Sequence, residues 1–90
     1  MNRKFKFEFE DQSSENSISF EYDDAVEEKM TIVVENGVPV MYANRQAFLS
    51  LAKTFVKIAL CDYSDAFHIH LRKDFDTEQP EILRIILNND

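Results

Sequence analysis

One segment of this chain has the periodicity of an amphipathic α-helix, and other segments have the alternation or the β-branched composition of β-strands. Asn44 precedes the helical segment and is a favourable N-cap, because its side-chain oxygen can accept a free backbone N–H of the first turn. The spacing predicts a helix of about 18 residues, roughly 27 Å long, that begins at Arg45. Apolar side chains recur at three- and four-residue steps along it and widen into a stripe: Phe48, Leu49, Leu51, Ala52, Phe55, Val56, Ile58, Ala59 and Leu60.

The N-terminal part of the chain predicts a first hairpin. Apolar and polar residues alternate over residues 4–10, and the alternation resumes over residues 17–22 after a polar, turn-forming stretch. Alternation places every second side chain on the same face of a strand, which groups Phe5, Phe7 and Phe9. Two alternating segments joined by a short polar loop are typical of antiparallel pairing.

A second hairpin is predicted immediately before the helix. Residues 30–35 are rich in β-branched side chains and lead into Asn36-Gly37, the strongest short signal for a type I′ turn. The returning strand, residues 38–42, contains Pro39. Because proline cannot donate a ladder hydrogen bond, this strand is expected at a sheet edge or with a bulge.

Two further strands are predicted after the helix, residues 66–71 and residues 81–87. The first alternates, with Phe67, Ile69 and Leu71 on one face and both histidines on the other. The order β-β-β-β-α-β-β predicts an α+β fold, an antiparallel sheet with one helix packed on one face. Six strands span well over 20 Å and one helix covers about 10 Å, so the sheet must curl, or a partner must cover part of it.

Length and charge define the class of protein. Ninety residues fit a single domain spanning residues 1–90, and eight Phe and three Tyr exclude a disordered acidic tail. A net charge of −7 argues against a dedicated nucleic-acid or anionic-membrane binder, since phosphate recognition needs concentrated Lys and Arg. The start of the chain alternates, so no signal peptide is expected, and no segment approaches the roughly 20 apolar residues of a membrane span. A cytoplasmic location is expected.

Residues that would support enzyme chemistry are sparse. Cys61 is the only cysteine, which excludes an internal disulfide and a Cys-based zinc site and fits a reducing compartment. It lies near the predicted helix C-terminus, where the macrodipole disfavours a thiolate. Gly37 is the only glycine, which excludes a Gly-rich phosphate loop. The chain is therefore expected to be non-enzymatic, with no cofactor and no resident metal.

The His68-x-His70 pair keeps one alternative open. On a strand, residues two apart point to the same face about 6.5–7 Å from each other, a spacing that suits two ligands of one metal ion. Asp74 or Asp76 would then supply a third ligand. This alternative is a metal-binding module or a small metal-dependent enzyme. The simpler interpretation is two outward-facing histidines on a half-solvated sheet.

Negative charge is concentrated in two stretches. Residues 7–28 contain nine acids and no Lys or Arg, and a second acidic stretch follows the histidine strand. If the two share a side of the sheet, they form a negative surface that speeds association with a basic protein. The alternative is that the charge only provides solubility. The acids expected to bind a partner are Asp11, Glu15, Glu21, Asp23, Asp24, Glu27, Glu28, Asp74 and Asp76.

The C-terminal half of the chain resembles a family of bacterial immunity proteins. The resemblance begins with Asn44-Arg45-Gln46-Ala47-Phe48 at the helix start and Leu51-Ala52 within the helix. It continues in residues 67–71, in Asp74-Phe75-Asp76 and in residues 80–84. These residues are similar to a small class, immunity family thirty-two, from polymorphic-toxin and contact-dependent inhibition systems. Its most specific part is the pairing of the Asn44-Arg45 helix start with the His68-x-His70 strand.

The resemblance implies a small cytoplasmic protein without enzymatic activity that binds the toxic C-terminal domain delivered by a neighbouring cell. Many such toxins are nucleases whose basic clefts hold phosphates, and an acidic protein can occupy such a cleft. His68 and His70 are expected to have a structural or hydrogen-bonding role at the sheet surface. A third interpretation is a homodimer of the free protein, or a scaffold domain that covers its exposed sheet with a second copy.

Overall fold

A computed structural model of the protein describes residues 1–20 and 25–89. This part of the chain contains one α-helix and four strands, and the strands form two antiparallel pairs. This content confirms the α+β class. No helix within these ranges is both long and apolar enough to cross a bilayer. The elements are β1 (Met30–Glu35), β2 (Val38–Ala43), α1 (Arg45–Leu60), β3 (His68–Arg72) and β4 (Glu81–Ile86), with short 3₁₀ helices at Ser13–Glu15 and Lys73–Phe75.

The strands form two separate two-stranded sheets instead of the single sheet expected from the sequence. β1 pairs with β2, and β3 pairs with β4, both antiparallel. In the second pair His70 lies opposite Arg84, and the register shifts between Leu71 and Arg72. The two sheets are joined where the carboxylate of Asp74 accepts a hydrogen bond from the backbone N–H of Met30 at 2.8 Å.

The predicted N-terminal hairpin is wrong for the residues that the structure describes. Residues 4–10 and 17–20 form no strand, while residues 21 and 22 of the predicted second strand lie outside the described residues. The backbone here binds side chains of the body instead of a partner strand: Ser17 O accepts from the hydroxyl of Tyr63, and Ser19 O accepts from Nζ of Lys57, each at 2.7 Å. The segment nevertheless groups its aromatic rings as alternation predicts.

Those rings pack beside two lysines of α1. The rings of Phe7 and Phe9 stack with centroids 5.3 Å apart, and Phe5 lies 6.3 Å from Phe7. Nζ of Lys57 is 5.6 Å from the centroid of Phe7, within the range of a cation–π contact. The segment therefore attaches to α1 through aromatic and lysine side chains and not through a sheet.

The core uses only part of the apolar surface of α1. Its buried helical residues are Ala47, Leu51, Thr54 and Lys57, with Ile58 partly buried beside them. Of the predicted stripe only Leu51 and Ile58 pack inward, whereas Phe48 and Phe55 are exposed, which corrects the expected orientation of the helix. The small side chain of Ala47 allows the first turn to approach the other core residues closely. Those residues are Met30, Tyr63, Phe67, Ile69 and Leu71.

The β1–β2 hairpin confirms the predicted turn and the predicted edge position of Pro39. Asn36 and Gly37 both have positive φ, 52° and 78°, as a type I′ turn requires. Glu35 and Val38 flank the turn as a hydrogen-bonded pair, so the next pair, Val34 and Pro39, is a non-hydrogen-bonded one. The nitrogen of Pro39 therefore faces the outer edge of β2, where its missing N–H interrupts no ladder bond.

Asn44 joins the β1–β2 hairpin, the preceding segment and the helix. Its Oδ1 accepts hydrogen bonds from the backbone N–H of Ala47 at 2.9 Å, as predicted for the N-cap, and of Lys29 at 3.2 Å. Its Nδ2 donates to the backbone carbonyl of Glu27 at 2.8 Å. One side chain thus starts α1 and fixes residues 27–29 beside it.

We expect Asn44→Ala to lower the free energy of unfolding by about 1–2 kcal/mol, the upper part of the range for loss of an N-cap. The loss is in this part of the range because the substitution also removes the hydrogen bonds that hold residues 27–29. Asn44→Asp keeps the accepting oxygen and loses only the donor to Glu27, so its loss should be smaller. Urea denaturation followed by circular dichroism measures both. An Asn44→Ala variant as stable as the native protein would contradict the joint role of this side chain.

Candidate functional site

Six of the acids predicted to bind a partner lie within the described residues, and they fall into two groups at opposite ends of α1. Asp11 and Glu15 lie at the C-terminal end of α1. The residues that follow them, 16–19, are hydrogen-bonded to side chains at that end. Besides the bonds of Ser17 and Ser19 to Tyr63 and Lys57, the hydroxyl of Ser64 donates to the side chain of Asn16 at 3.2 Å. The N-terminal segment therefore brings its acids to the residues that follow the helix.

Two aspartates that the sequence analysis did not select join this end. Asp62 and Asp65 follow the helix within five residues of Leu60 and are exposed, like Asp11 and Glu15. We call these four residues the C-terminal acidic cluster. The negative end of the helix macrodipole adds to their charge. The result is a concentrated negative potential at one end of the molecule.

The thiol of Cys61 lies in this negative potential. Burial raises the pKa of the thiol first, and the hydrogen bond with Asp11 and the charges of Asp11 and Asp62 raise it further. The pKa of the Tyr63 hydroxyl is raised in the same direction, mainly by burial and then by Cys61 and Asp11. The raised pKa agrees with the expectation that the helix C-terminus disfavours a thiolate. A protonated thiol is a poor nucleophile.

The remaining predicted acids that the structure describes gather near the helix N-terminus. Glu27 is held there by Asn44, and its carboxylate lies 3.4 Å from Nζ of Lys29. Asp74 reaches the same place through its bond to Met30, so the loop bearing Asp76 lies beside the segment before β1. We call Glu27, Glu28, Asp74 and Asp76 the N-terminal acidic cluster. Lys29 and Lys73 reduce its net charge.

Asp74 also has a structural role that the sequence analysis did not predict. Asp74 and Phe75 both adopt a φ of 55°, a region that a bulky side chain such as Phe rarely occupies. This backbone turns the Asp74 carboxylate towards Met30 and packs Phe75 against the core. An open cleft of about 490 Å³ lies here, with Lys29, Tyr42 and Lys73 on its walls.

The two acidic clusters are separated by the length of the helix. α1 contains 16 residues and is about 24 Å long. The single negative surface considered in the sequence analysis is therefore divided into two in the described residues. Glu21, Asp23 and Asp24 lie outside those residues.

The histidine strand has the predicted arrangement of faces. Phe67, Ile69 and Leu71 are buried, and His68 and His70 point outward with their rings 5.0 Å apart. Nδ1 of His70 donates to Oε2 of Glu81 on β4, and the guanidinium of Arg84 donates to Oε1 of the same carboxylate at 2.9 Å. Nδ1 of His68 donates to the carbonyl of Ala66 at 3.2 Å. His70 therefore belongs to a hydrogen-bonded cluster on the sheet surface.

The metal-binding alternative requires a third ligand beside the histidines. Across residues 1–20 and 25–89, no group of three or more His, Cys, Asp or Glu side chains is arranged to hold a metal ion. The carboxylate of Asp74, one of the two proposed third ligands, is bonded to Met30.

Apolar side chains remain exposed on α1 and on the β1–β2 hairpin. A compact monomer of 10.6 kDa is expected to expose about 5,500 Å², whereas this chain exposes 7013 Å². The radius of gyration is 14.3 Å, against about 12 Å for a compact domain of this length. The separate sheets and the N-terminal segment contribute to this surface, as does the outward face of α1.

No protein-family model, no curated protein and no solved structure matches this chain. The resemblance to immunity proteins therefore stays an expectation from the motif residues Asn44, Arg45, His68 and His70. Two of these have identifiable structural roles here, since Asn44 caps the helix and His70 bonds to Glu81.

We expect the ionised carboxylate of Glu81 to stabilise the fold at pH values above its ordinary pKa. The hydrogen bond from His70, followed by that from Arg84, lowers the pKa of Glu81 below the ordinary value of 4.5. The stabilisation is therefore complete above that value and is lost as the pH falls through the lower pKa of the folded state. Glu81→Gln should show a shallower loss of stability on acidification than the native protein, measured by urea denaturation from about pH 6 downward.

Glu78→Gln is the matched control for this experiment. Glu78 is exposed, lies in the loop before β4, and its carboxylate makes no hydrogen bond within the described residues. This variant should keep the acid dependence of the native protein. Equal acid dependence in the Glu81→Gln variant would contradict the role of the cluster.

Proposed function

We propose that this protein is a non-enzymatic immunity protein. It binds and neutralises a bacterial toxin domain in the cytoplasm of the cell that produces the immunity protein. The observation that carries the proposal is the C-terminal acidic cluster. Four exposed carboxylates, from segments far apart in sequence, converge at the negative end of α1. Of the two lysines of α1, Lys57 is the nearer in sequence to Asp62 and Asp65 of this cluster. Its side chain is buried against the N-terminal segment, where Nζ donates to the carbonyl of Ser19.

Such a surface is complementary to a basic cleft. Nucleases hold phosphates with Lys and Arg, and a negatively charged protein surface is attracted to the same side chains. Long-range attraction raises the association rate and orients the encounter, and salt weakens both effects. A toxin domain with nuclease activity is therefore the partner that best fits this surface.

The motif residues support the same proposal. The Asn44-Arg45 helix start and the His68-x-His70 strand are the residues on which the resemblance to the immunity family depends. In this chain Asn44 caps α1 and His70 donates to Glu81, so both motif residues have structural roles. The proposal assigns recognition to the acidic surface and structural support to the motif.

Co-expression with the toxin domain encoded immediately upstream tests the proposal. We expect growth rescue and a stable one-to-one complex on co-purification. The absence of both rescue and complex would reject the immunity function. Rescue without a complex would reject stoichiometric binding as its mechanism.

Charge reversal tests the electrostatic part. Glu15→Lys should slow association with the toxin domain and reduce its salt dependence, because it reverses a charge within the C-terminal acidic cluster. The combined reversal of Asp23, Asp24 and Glu27 to Lys should slow association by about tenfold. Stopped-flow fluorescence at several salt concentrations measures both variants.

Glu35→Lys is the matched control. It makes the same change of charge on the exposed end of the β1–β2 hairpin, where Glu35 accepts a hydrogen bond from the hydroxyl of Tyr42 at 2.5 Å. It should change the association rate less than Glu15→Lys. Equal rates for the native protein, Glu15→Lys and the combined variant would reject electrostatic steering by these acids.

A further inference from the structure

The outer edge of β1 presents main-chain groups that β2 does not use. In an antiparallel ladder, hydrogen-bonded and non-hydrogen-bonded pairs alternate, and residues of the second kind point their N–H and C=O away from the partner strand. Counting from the pair that flanks the Asn36-Gly37 turn, these groups of Met30, Ile32 and Val34 face the outer edge. The bond from the N–H of Met30 to Asp74 agrees with this assignment.

Two residues of this edge keep both main-chain groups open. Across residues 1–20 and 25–89, no main-chain N–H or C=O of Ile32 or Val34 has a hydrogen-bond partner. A row of open main-chain groups pairs readily with an added extended strand. The outer edge of β2 differs, because Pro39 has no N–H to offer there. Strand addition is therefore favoured at β1 and hindered at β2.

The β1–β2 hairpin is free of the net negative charge that the rest of the chain carries. Residues 29–44 contain one lysine, Lys29, and one acid, Glu35, whereas the whole chain has a net charge of −7. Val33 and Val34 on β1 are 42% and 70% exposed. Two copies of an acidic chain repel each other at their acidic clusters but not at a neutral, apolar hairpin. A second copy therefore fits this edge, whereas a basic partner fits the acidic clusters.

We propose that two copies of this chain pair through the outer edges of β1, antiparallel, in one four-stranded sheet of order β2-β1-β1-β2. Ile32 of each copy then forms a hydrogen-bonded pair with Val34 of the other. The two pairs make four main-chain hydrogen bonds and use every open group of these residues. Val33 lies opposite Val33 of the second copy, on the two-fold axis. Each copy contributes the same edge, so the dimer is isologous and closed.

The register of this pairing is limited at both ends of the edge. A shift towards the start of β1 places Val34 opposite Met30 of the second copy, whose N–H is already bonded to Asp74. A shift towards the turn places Ile32 opposite Asn36, which has a φ of 52° and is not extended. The register centred on Val33 is therefore the one that satisfies all the open groups.

The two charges of the hairpin are complementary in this arrangement. Lys29, Val33 and Glu35 point to one face of the strand, because they are separated by even numbers of residues. Lys29 then lies diagonally across from Glu35 of the second copy, at a distance that long side chains can span, and the contact occurs twice by symmetry. A parallel pairing would place Lys29 beside Lys29. The edge is thus self-complementary when the second strand is reversed.

Sedimentation equilibrium of the purified full chain tests the dimer without any other protein. One strand from each copy gives an interface below the standard size, so we expect a dissociation constant on the order of 100 µM. Val34→Pro should weaken the dimer at least tenfold, because it removes a main-chain donor from the edge. The N–H of Val34 makes no bond to β2, so the hairpin keeps its ladder.

Val34→Lys is a second variant that keeps the main-chain donor, and it should also weaken the dimer, since an edge lysine opposes strand addition. Val38→Lys is the matched control. It adds the same charge to the same hairpin at a 58% exposed position on β2, away from the outer edge of β1. This control should dimerise like the native protein. Circular dichroism should show the native spectrum for all three variants.

Disulfide formation tests the register, in a Cys61→Ala background that leaves the introduced thiol as the only one. Val33→Cys should form an intermolecular disulfide on mild oxidation, because facing residues of a non-hydrogen-bonded pair have Cα atoms about 4.5 Å apart, within disulfide range. Val34→Cys is more exposed, but its Cα atoms in the two copies lie diagonally, about 7–8 Å apart. It should form much less disulfide on non-reducing electrophoresis.

Three results would overturn the proposal, and none of them depends on the proposed toxin binding. The first is a native protein that is monomeric up to about 1 mM, which would leave the edge to a strand of another protein. The second is a dimer that persists unchanged in both Val34→Pro and Val34→Lys, which would assign dimerisation to another surface. The third is a Val34→Cys disulfide that forms as readily as that of Val33→Cys, which would exclude the register centred on Val33.

Discussion

The side chain of Asn44 connects the parts of this small fold that have few other connections. It begins α1, and it holds the segment before β1 through both its oxygen and its nitrogen. The carboxylate of Asp74 makes a second connection at the same place, from the β3–β4 sheet to the start of β1. With only seven buried apolar side chains in the described core, two polar contacts determine how the two hairpins sit on one helix.

Local sequence signals predicted most of the elements. β1 has the expected bounds, the Asn36-Gly37 turn has the expected conformation, and α1 begins at the expected residue. The alternation of residues 67–71 correctly separated buried residues from outward-facing histidines. Each of these depends on neighbours within a few positions, which is the range that periodicity and capping rules cover.

The sequence could not predict features that depend on contacts between distant segments. The N-terminal segment alternates like a strand, but Lys57 and Tyr63 bind the carbonyls that a partner strand would have used. The apolar stripe of α1 is wider than one contact surface, so periodicity alone could not say which side faces the core. The C-terminal acidic cluster joins Asp11 and Glu15 to Asp62 and Asp65, and nothing local in either stretch indicates the other.

The outer edge of β2 has a consequence for the behaviour of the protein at high concentration. A two-stranded sheet leaves both edges open, and open edges are where chains add to one another as fibrils. Pro39 presents a ring at one such edge where an N–H would otherwise be offered to an incoming strand. A growing cross-β stack therefore meets an interruption near the start of β2, which protects an exposed, valine-rich hairpin from templated aggregation.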